Sequence, residues 1–136
     1  MVPGEMPVQY ARQCGAFIKA LHGGSKKCLV LDCDGTLWGG VLGEDGIDGI
    51  QLGHDYPGSS YLAFQEEVLK LHARGVMLAL CSKNNEADVF EVLEKHPQMR
   101  LRKEHLSSWQ IHWRDKAESL RQVATDLNIG LNAMVF

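Results

Sequence analysis

Two carboxylates set two residues apart, Asp32 and Asp34, directly follow the apolar run Cys28–Leu31. At the end of a strand this spacing can place both on one side of the chain. Like charges so close resist joint ionisation unless a cation shares them. Mg²⁺ answers that need, as a hard cation that prefers oxygen ligands. A carboxylate can also attack phosphorus and carry the phosphoryl group as an aspartyl phosphate. Its neighbour can then protonate the leaving oxygen and later activate water. The competing reading is a solvated acidic turn, but the position after an apolar strand and before Gly35-Thr36 favours chemistry.

Two further stations suit an anion. Ser82-Lys83-Asn84-Asn85 follows a second apolar run, residues 76–81. A hydroxyl and backbone N–H groups at a helix start make a phosphate seat; a plain helix cap is the simpler alternative. Both can hold, with Asn85 capping and Ser82 binding. Lys116 falls in the first turn of a late helix, where a cation opposes the helix dipole. A bound phosphate would explain it, and an exposed surface lysine is the bland alternative.

The elements that must position these residues follow from periodicity. Residues 7–21 have a loosely amphipathic helical pattern ended by Gly23-Gly24. Residues 28–31 and 76–81 read as buried parallel strands. The glycine-dense segment 38–53 suggests turns and a small β-hairpin, a flap beside Asp32. Ser59 or Ser60 is placed to cap a helix over residues 61–73, with Leu62, Phe64, Val68, Leu69 and His72 inward. Asn85 is placed to cap a helix to about residue 95, and residues 99–101 to form a short third strand. Residues 115–128 form another amphipathic helix and residues 133–136 begin a strand. This alternation predicts an α/β fold, a parallel sheet with helices on both faces. Ligands in such sheets bind beyond the carboxyl ends of the strands. His54, Asp55 and Tyr56 read as loop residues. Trp109, His112 and Trp113 either pack under the late helix or line a partner surface.

Bulk properties bound the function. The 136 residues suit one domain, read as an N-terminal helix and linker over 1–25 and a core over 26–136. A net charge of −3 argues against generic nucleic-acid or anionic-membrane binding. Cys14, Cys28, Cys33 and Cys81 form no CxxC pair. With no signal peptide and no long apolar run, this implies free thiols in a reducing cytoplasm.

The three stations resemble those of the haloacid dehalogenase superfamily: DxDxT at Asp32 to Thr36, a Ser at Ser82 and a Lys at Lys116. The resemblance implies a Rossmann-like sheet, Mg²⁺ as cofactor and a small phosphorylated metabolite as substrate. By the same resemblance Asp32 is the nucleophile and Asp34 the general acid/base. Thr36, Ser82, Lys83, Asn84 and Lys116 then bind phosphate. Asp32 and the backbone carbonyl of Asp34 bind the metal. Residues 27–40 (KCLVLDCDGTLWGG), 43–46 (GEDG), 63–65 (AFQ), 79–88 (ALCSKNNEAD), 116–120 (KAESL) and 127–130 (LNIG) narrow the likeness to the FkbH-like branch, subfamily IIIC. Gly35 departs from it, since Asn is frequent there. That branch implies dephosphorylation of 1,3-bisphosphoglycerate and transfer of the glyceryl unit to an acyl carrier protein in polyketide assembly. Cys33 is a candidate acyl acceptor and Cys81 a second. A general small-molecule phosphatase and a binding module without activity are the alternatives.

The superfamily's fourth motif, an acidic pair, would come after Met134-Val-Phe136, where the sequence stops. The expectation is a fragment with an under-ligated metal and a sheet edge open to self-association or a complementing partner.

Overall fold

The computed structural model describes residues 27–135. The helix expected over residues 7–21 lies outside the described residues, as do the rest of segment 1–26 and Phe136. Four strands form the sheet: β1 (Cys28–Leu31), β2 (Met77–Ser82), β3 (Leu106–Ile111) and β4 (Met134–Val135). Their order is β3-β2-β1-β4, and every pairing is parallel. The helices are α1 (Leu42–Gly49), α2 (Gly58–Ala73), α3 (Glu86–Lys95) and α4 (Lys116–Leu127). This is the α/β class that the alternation predicts. No described helix is long and apolar enough to cross a membrane.

The apolar character of β1 and β2 follows from having both faces covered. Leu29, Leu31, Leu78 and Leu80 face a core built with Phe64, Val68 and Leu71 of α2 and Val89, Val92 and Leu93 of α3. Cys28, Val30, Ala79 and Cys81 face the other way, against Val123 and Ala124 of α4. Residues of one parity thus serve one layer, as the strand period of two requires.

Three local expectations are corrected. The glycine-dense segment is not a hairpin. Gly39 and Gln51 do pair antiparallel, exchanging bonds of 2.9 and 2.8 Å, but α1 lies between them. Asp45 accepts the Val41 N–H at 2.8 Å, and Glu44 and Asp45 in the first turn suit the helix dipole. Gly46, at φ 74°, then kinks this short helix.

The third strand is residues 106–111, not 99–101. Met99 and Leu101 are buried, but the N–H groups of Arg100 and Leu101 bond the Gln65 side chain instead of a ladder. The true β3 lies at the sheet edge and carries Ser107 and Ser108, which hides it from an apolar pattern.

The caps also differ. Pro57 precedes α2, and Ser59 and Ser60 lie within its first turn. Gly58 is required there, because a Cβ would meet the Gly53 nitrogen at 2.7 Å. Asn85 stands at the start of α3 but makes no side-chain cap bond. Asp115 does cap α4, accepting the Ala117 N–H at 2.8 Å, and Asn128, at φ 54°, ends that helix before Gly130.

Gln65 is a buried tie inside the α2 layer, fully shielded from solvent. Its Nε2 donates to the Leu37 carbonyl at 2.7 Å, and its Oε1 accepts from Arg100 N and Leu101 N, both at 3.0 Å. One side chain therefore fixes the loop after β1 against the segment that leads to β3. Gln65→Leu strands three backbone groups, each costly when buried and unpaired. The expected loss is roughly 3 kcal/mol, seen as a fall in melting temperature on the order of 10 °C.

Two histidines make stability depend on pH. Burial lowers the pKa of His96, opposed by Asp48. Burial also lowers that of His105, with His72 and Arg102 adding and Glu104 opposing. The unfolded chain therefore binds protons that the folded chain refuses. The stability from these neutral rings is present above about pH 6.5 and is lost as the pH falls through their lowered folded values. The melting temperature is expected to decline below about pH 6.5. Replacing both histidines by Gln should flatten that decline in thermal melts.

Candidate active site

The strand-end residues meet where the sheet's carboxyl ends open. Asp32 follows β1, and its Oδ1 accepts the Cys33 N–H at 2.7 Å. Its Oδ2 pairs with Lys116 Nζ at 3.0 Å, across 84 positions of sequence. Side-chain exposures of 39% for Asp32 and 47% for Lys116 leave this pair open to a ligand. Lys116 does sit in the first turn of α4, and the Asp32 carboxylate offsets its unfavourable place in the helix dipole.

Asp34 is held differently. Its Oδ1 accepts from Trp38 Nε1 at 3.0 Å and from Leu42 N at 3.1 Å. Its Oδ2 accepts from Asn84 Nδ2 at 3.2 Å, and Asn84 Nδ2 also reaches Ser82 Oγ at 3.1 Å. The turn that allows this has Gly35 at φ 75°, with Gly35 N bonding the Trp38 carbonyl at 2.8 Å. Only glycine takes such a φ at little cost. Trp38 is fully buried, and a buried indole N–H needs an acceptor. Trp38 and the N–H of Leu42 are site residues that sequence spacing missed. The signal available was a tryptophan four residues after an aspartate that a tight turn could bring back to it. Through Leu42 the flap helix α1 is tied directly to Asp34.

The phosphate stations divide. Ser82 and Asn84 are buried beside Asp34, whereas Lys83 between them is exposed. Thr36 is half-buried, its N–H on the Cys33 carbonyl at 3.1 Å.

The cysteine expectation is corrected. Cys33 shares the parity of Leu29 and Leu31 and lies in their core, fully shielded from solvent and turned from its flanking carboxylates. Burial pushes its thiol far up; a Ser82 hydrogen bond and Lys116 oppose this, while Asp32 and Asp34 add to it. Burial also raises Cys81, and lifts Cys28 to about 11. Nucleophilic sulfur is thiolate, so none of these three buried thiols is poised to accept an acyl group.

Neighbouring expectations are also refined. Trp109 packs edge-on against Phe90 of α3, with ring centroids 5.2 Å apart, rather than under α4. His112 does reach α4, at 3.3 Å from Ser119 Oγ. Trp113 is 65% exposed, its Nε1 on Asn85 Oδ1 at 3.0 Å.

Among the described residues no group of three or more His, Cys, Asp or Glu converges as a metal cage. The Asp32 carboxylate is half-exposed, and it and the Asp34 carbonyl are hard oxygen donors. They fit a small divalent cation that keeps most of its waters.

The Lys116–Asp32 pair makes a direct prediction about anion binding. Lys116→Met removes a charge-assisted contact to any phosphoryl group placed on Asp32. Affinity for beryllofluoride, a phosphoryl mimic, should fall roughly 10- to 100-fold in isothermal titration. Unchanged affinity would place the anion elsewhere.

No protein-family model and no curated protein matches the chain. A solved structure does: the N-terminal part of the protein BF1531 from Bacteroides fragilis, which contains a phosphatase domain and is complexed with Mg. Sequence identity is 44% and the TM-score 0.80, over 86% of this chain. The alignment covers 31% of that longer chain. At that identity over most of its described length, with the strand-end carboxylates, serine and lysine in one opening, the chain is a haloacid dehalogenase-like α/β domain related to the phosphatase domain of that protein.

Proposed function

We propose that this domain is an Mg²⁺-dependent phosphatase that acts on a small phosphorylated metabolite through Asp32. The observation that carries the reading is the open Asp32–Lys116 pair, a nucleophile and a cation 3.0 Å apart. The Mg in the related phosphatase-domain structure supports the choice of metal.

The residues divide the work as follows. A carboxylate oxygen of Asp32 attacks phosphorus while the bond from phosphorus to the leaving oxygen breaks. Asp34 gives that oxygen its proton, so an alcohol departs and an aspartyl phosphate remains. Asp34, now a carboxylate, takes a proton from water. The resulting hydroxide attacks phosphorus and frees Asp32 and inorganic phosphate. Lys116 and Ser82 hold the equatorial phosphoryl oxygens, where charge collects. Asp32 and the Asp34 carbonyl would hold Mg²⁺, which would supply the charge neutralisation that lets an anion approach Asp32.

A finer version makes the domain FkbH-like, taking 1,3-bisphosphoglycerate and passing the glyceryl unit to an acyl carrier protein. Its support is the resemblance over residues 27–40 and 79–88. It needs a thiol, and the three cysteines among the described residues, Cys28, Cys33 and Cys81, are buried. Hydrolysis is therefore the reading that the site favours.

Phosphate release from a panel of phosphate esters should require Mg²⁺ and stop on chelation with EDTA. Asp32→Asn should lower the rate by at least about 10³-fold while leaving the circular dichroism spectrum unchanged. Brief incubation with substrate and acid quench should trap a hydroxylamine-sensitive acyl phosphate in the wild type and none in the variant. Wild-type protein that neither releases phosphate nor binds beryllofluoride with Mg²⁺ would favour a binding module instead.

A further inference from the structure

Asn84 is expected from sequence to bind phosphate, but its donors are already committed. A primary amide has two N–H bonds. Asn84 Nδ2 reaches Asp34 Oδ2 at 3.2 Å and Ser82 Oγ at 3.1 Å. The residue is 3% exposed, and both bonds run to neighbouring side chains.

The two oxygens of Asp34 are not equivalent. Oδ1 accepts two donors, Trp38 Nε1 and Leu42 N. Oδ2 accepts one, from Asn84. Oδ2 therefore keeps a lone pair that can carry the proton given to the leaving oxygen, and one amide sets its direction. The Oδ1 contacts come from residues 38 and 42, close in sequence, so they anchor the carboxylate to its own loop. The Asn84 contact comes from the loop after β2, 50 positions away, and sets the carboxylate against the other half of the site.

We infer that Asn84 is a positioning residue: its amide locks the rotamer of Asp34 against Ser82 so that Oδ2 faces the leaving group. The consequence for catalysis rests on the phosphatase reading. The placement of Asp34 does not.

Trp38 offers a readout that needs no turnover. Its indole N–H bonds the same carboxylate, and the Trp109 indole N–H, on Glu86 Oε1 at 3.0 Å, serves as control. The chain has three tryptophans, so single Trp→Phe variants assign every indole signal in a ¹H–¹⁵N spectrum. Asn84→Leu keeps the approximate shape of the side chain and removes its donors. The Trp38 signal should move while that of Trp109 stays. A Trp38 signal that stays in place overturns the inference. Asn84→Ala provides the same comparison if the leucine variant does not fold. The wild type gives a third measurement, since both Asn84 carboxamide protons should exchange slowly with solvent; rapid exchange overturns the assignment.

Kinetics separate positioning from a merely structural role. An aryl phosphate with a good leaving group needs little help from a proton, whereas an alkyl phosphate needs it fully. Asn84→Leu should lower kcat on the alkyl ester at least about tenfold more than on p-nitrophenyl phosphate, with KM less affected. Equal losses on both esters overturn the positioning role. Absence of wild-type turnover on either ester is a failure of the phosphatase reading, and the indole and exchange measurements then decide the role of Asn84.

Discussion

Three N–H groups converge on the carboxylate of Asp34, from the Trp38 indole, the Leu42 backbone and the Asn84 amide. The rest of the site depends on that convergence. A short loop carrying a carboxylate would ordinarily sample several rotamers, and each would aim the acid elsewhere. Three donors, all from residues that are themselves buried, leave it one. The same bonds join the flap helix and the loop after β2 to the first strand end. Asp34 is thus both a chemical group and the joint between three segments.

Asp32 is organised on the opposite principle. It has one backbone donor and one side-chain cation, and both it and Lys116 remain half-exposed. A nucleophile must be reachable, and a phosphoryl group must enter between it and the lysine. A rigid carboxylate beside an open one assigns different tasks to two identical side chains through environment alone. The parity of the strand completes the arrangement. Cys33, between them, is turned into the core with Leu29 and Leu31, where it packs as a small apolar residue.

The supporting fold shows the same economy of ties. Gln65 fastens the loop after β1 to the segment before β3 by three backbone bonds, so one polar side chain does what a ladder would do elsewhere. That is why residues 99–101 are apolar and buried without being a strand. The covered faces of β1 and β2 hold the strand ends steady, and the loops carry the chemistry.

What the sequence determined by itself was local and periodic. The apolar runs placed β1 and β2, the helical spacing placed α2, α3 and α4 within a few residues, and the order of elements dictated a parallel sheet. Asp32, Asp34, Ser82 and Lys116 stood out because strand ends in such a sheet face one opening. The flap helix, the true β3, the commitment of Asn84 and the burial of Cys33 were decided only by tertiary structure. Each depends on a partner far along the chain or on which face of a strand is covered. Glycine density reads as turns until Asp45 closes a helical one. An edge strand with serines reads as loop until β2 pairs with it. Asn84 reads as a phosphate ligand until Asp34, 50 positions away, takes its proton donor.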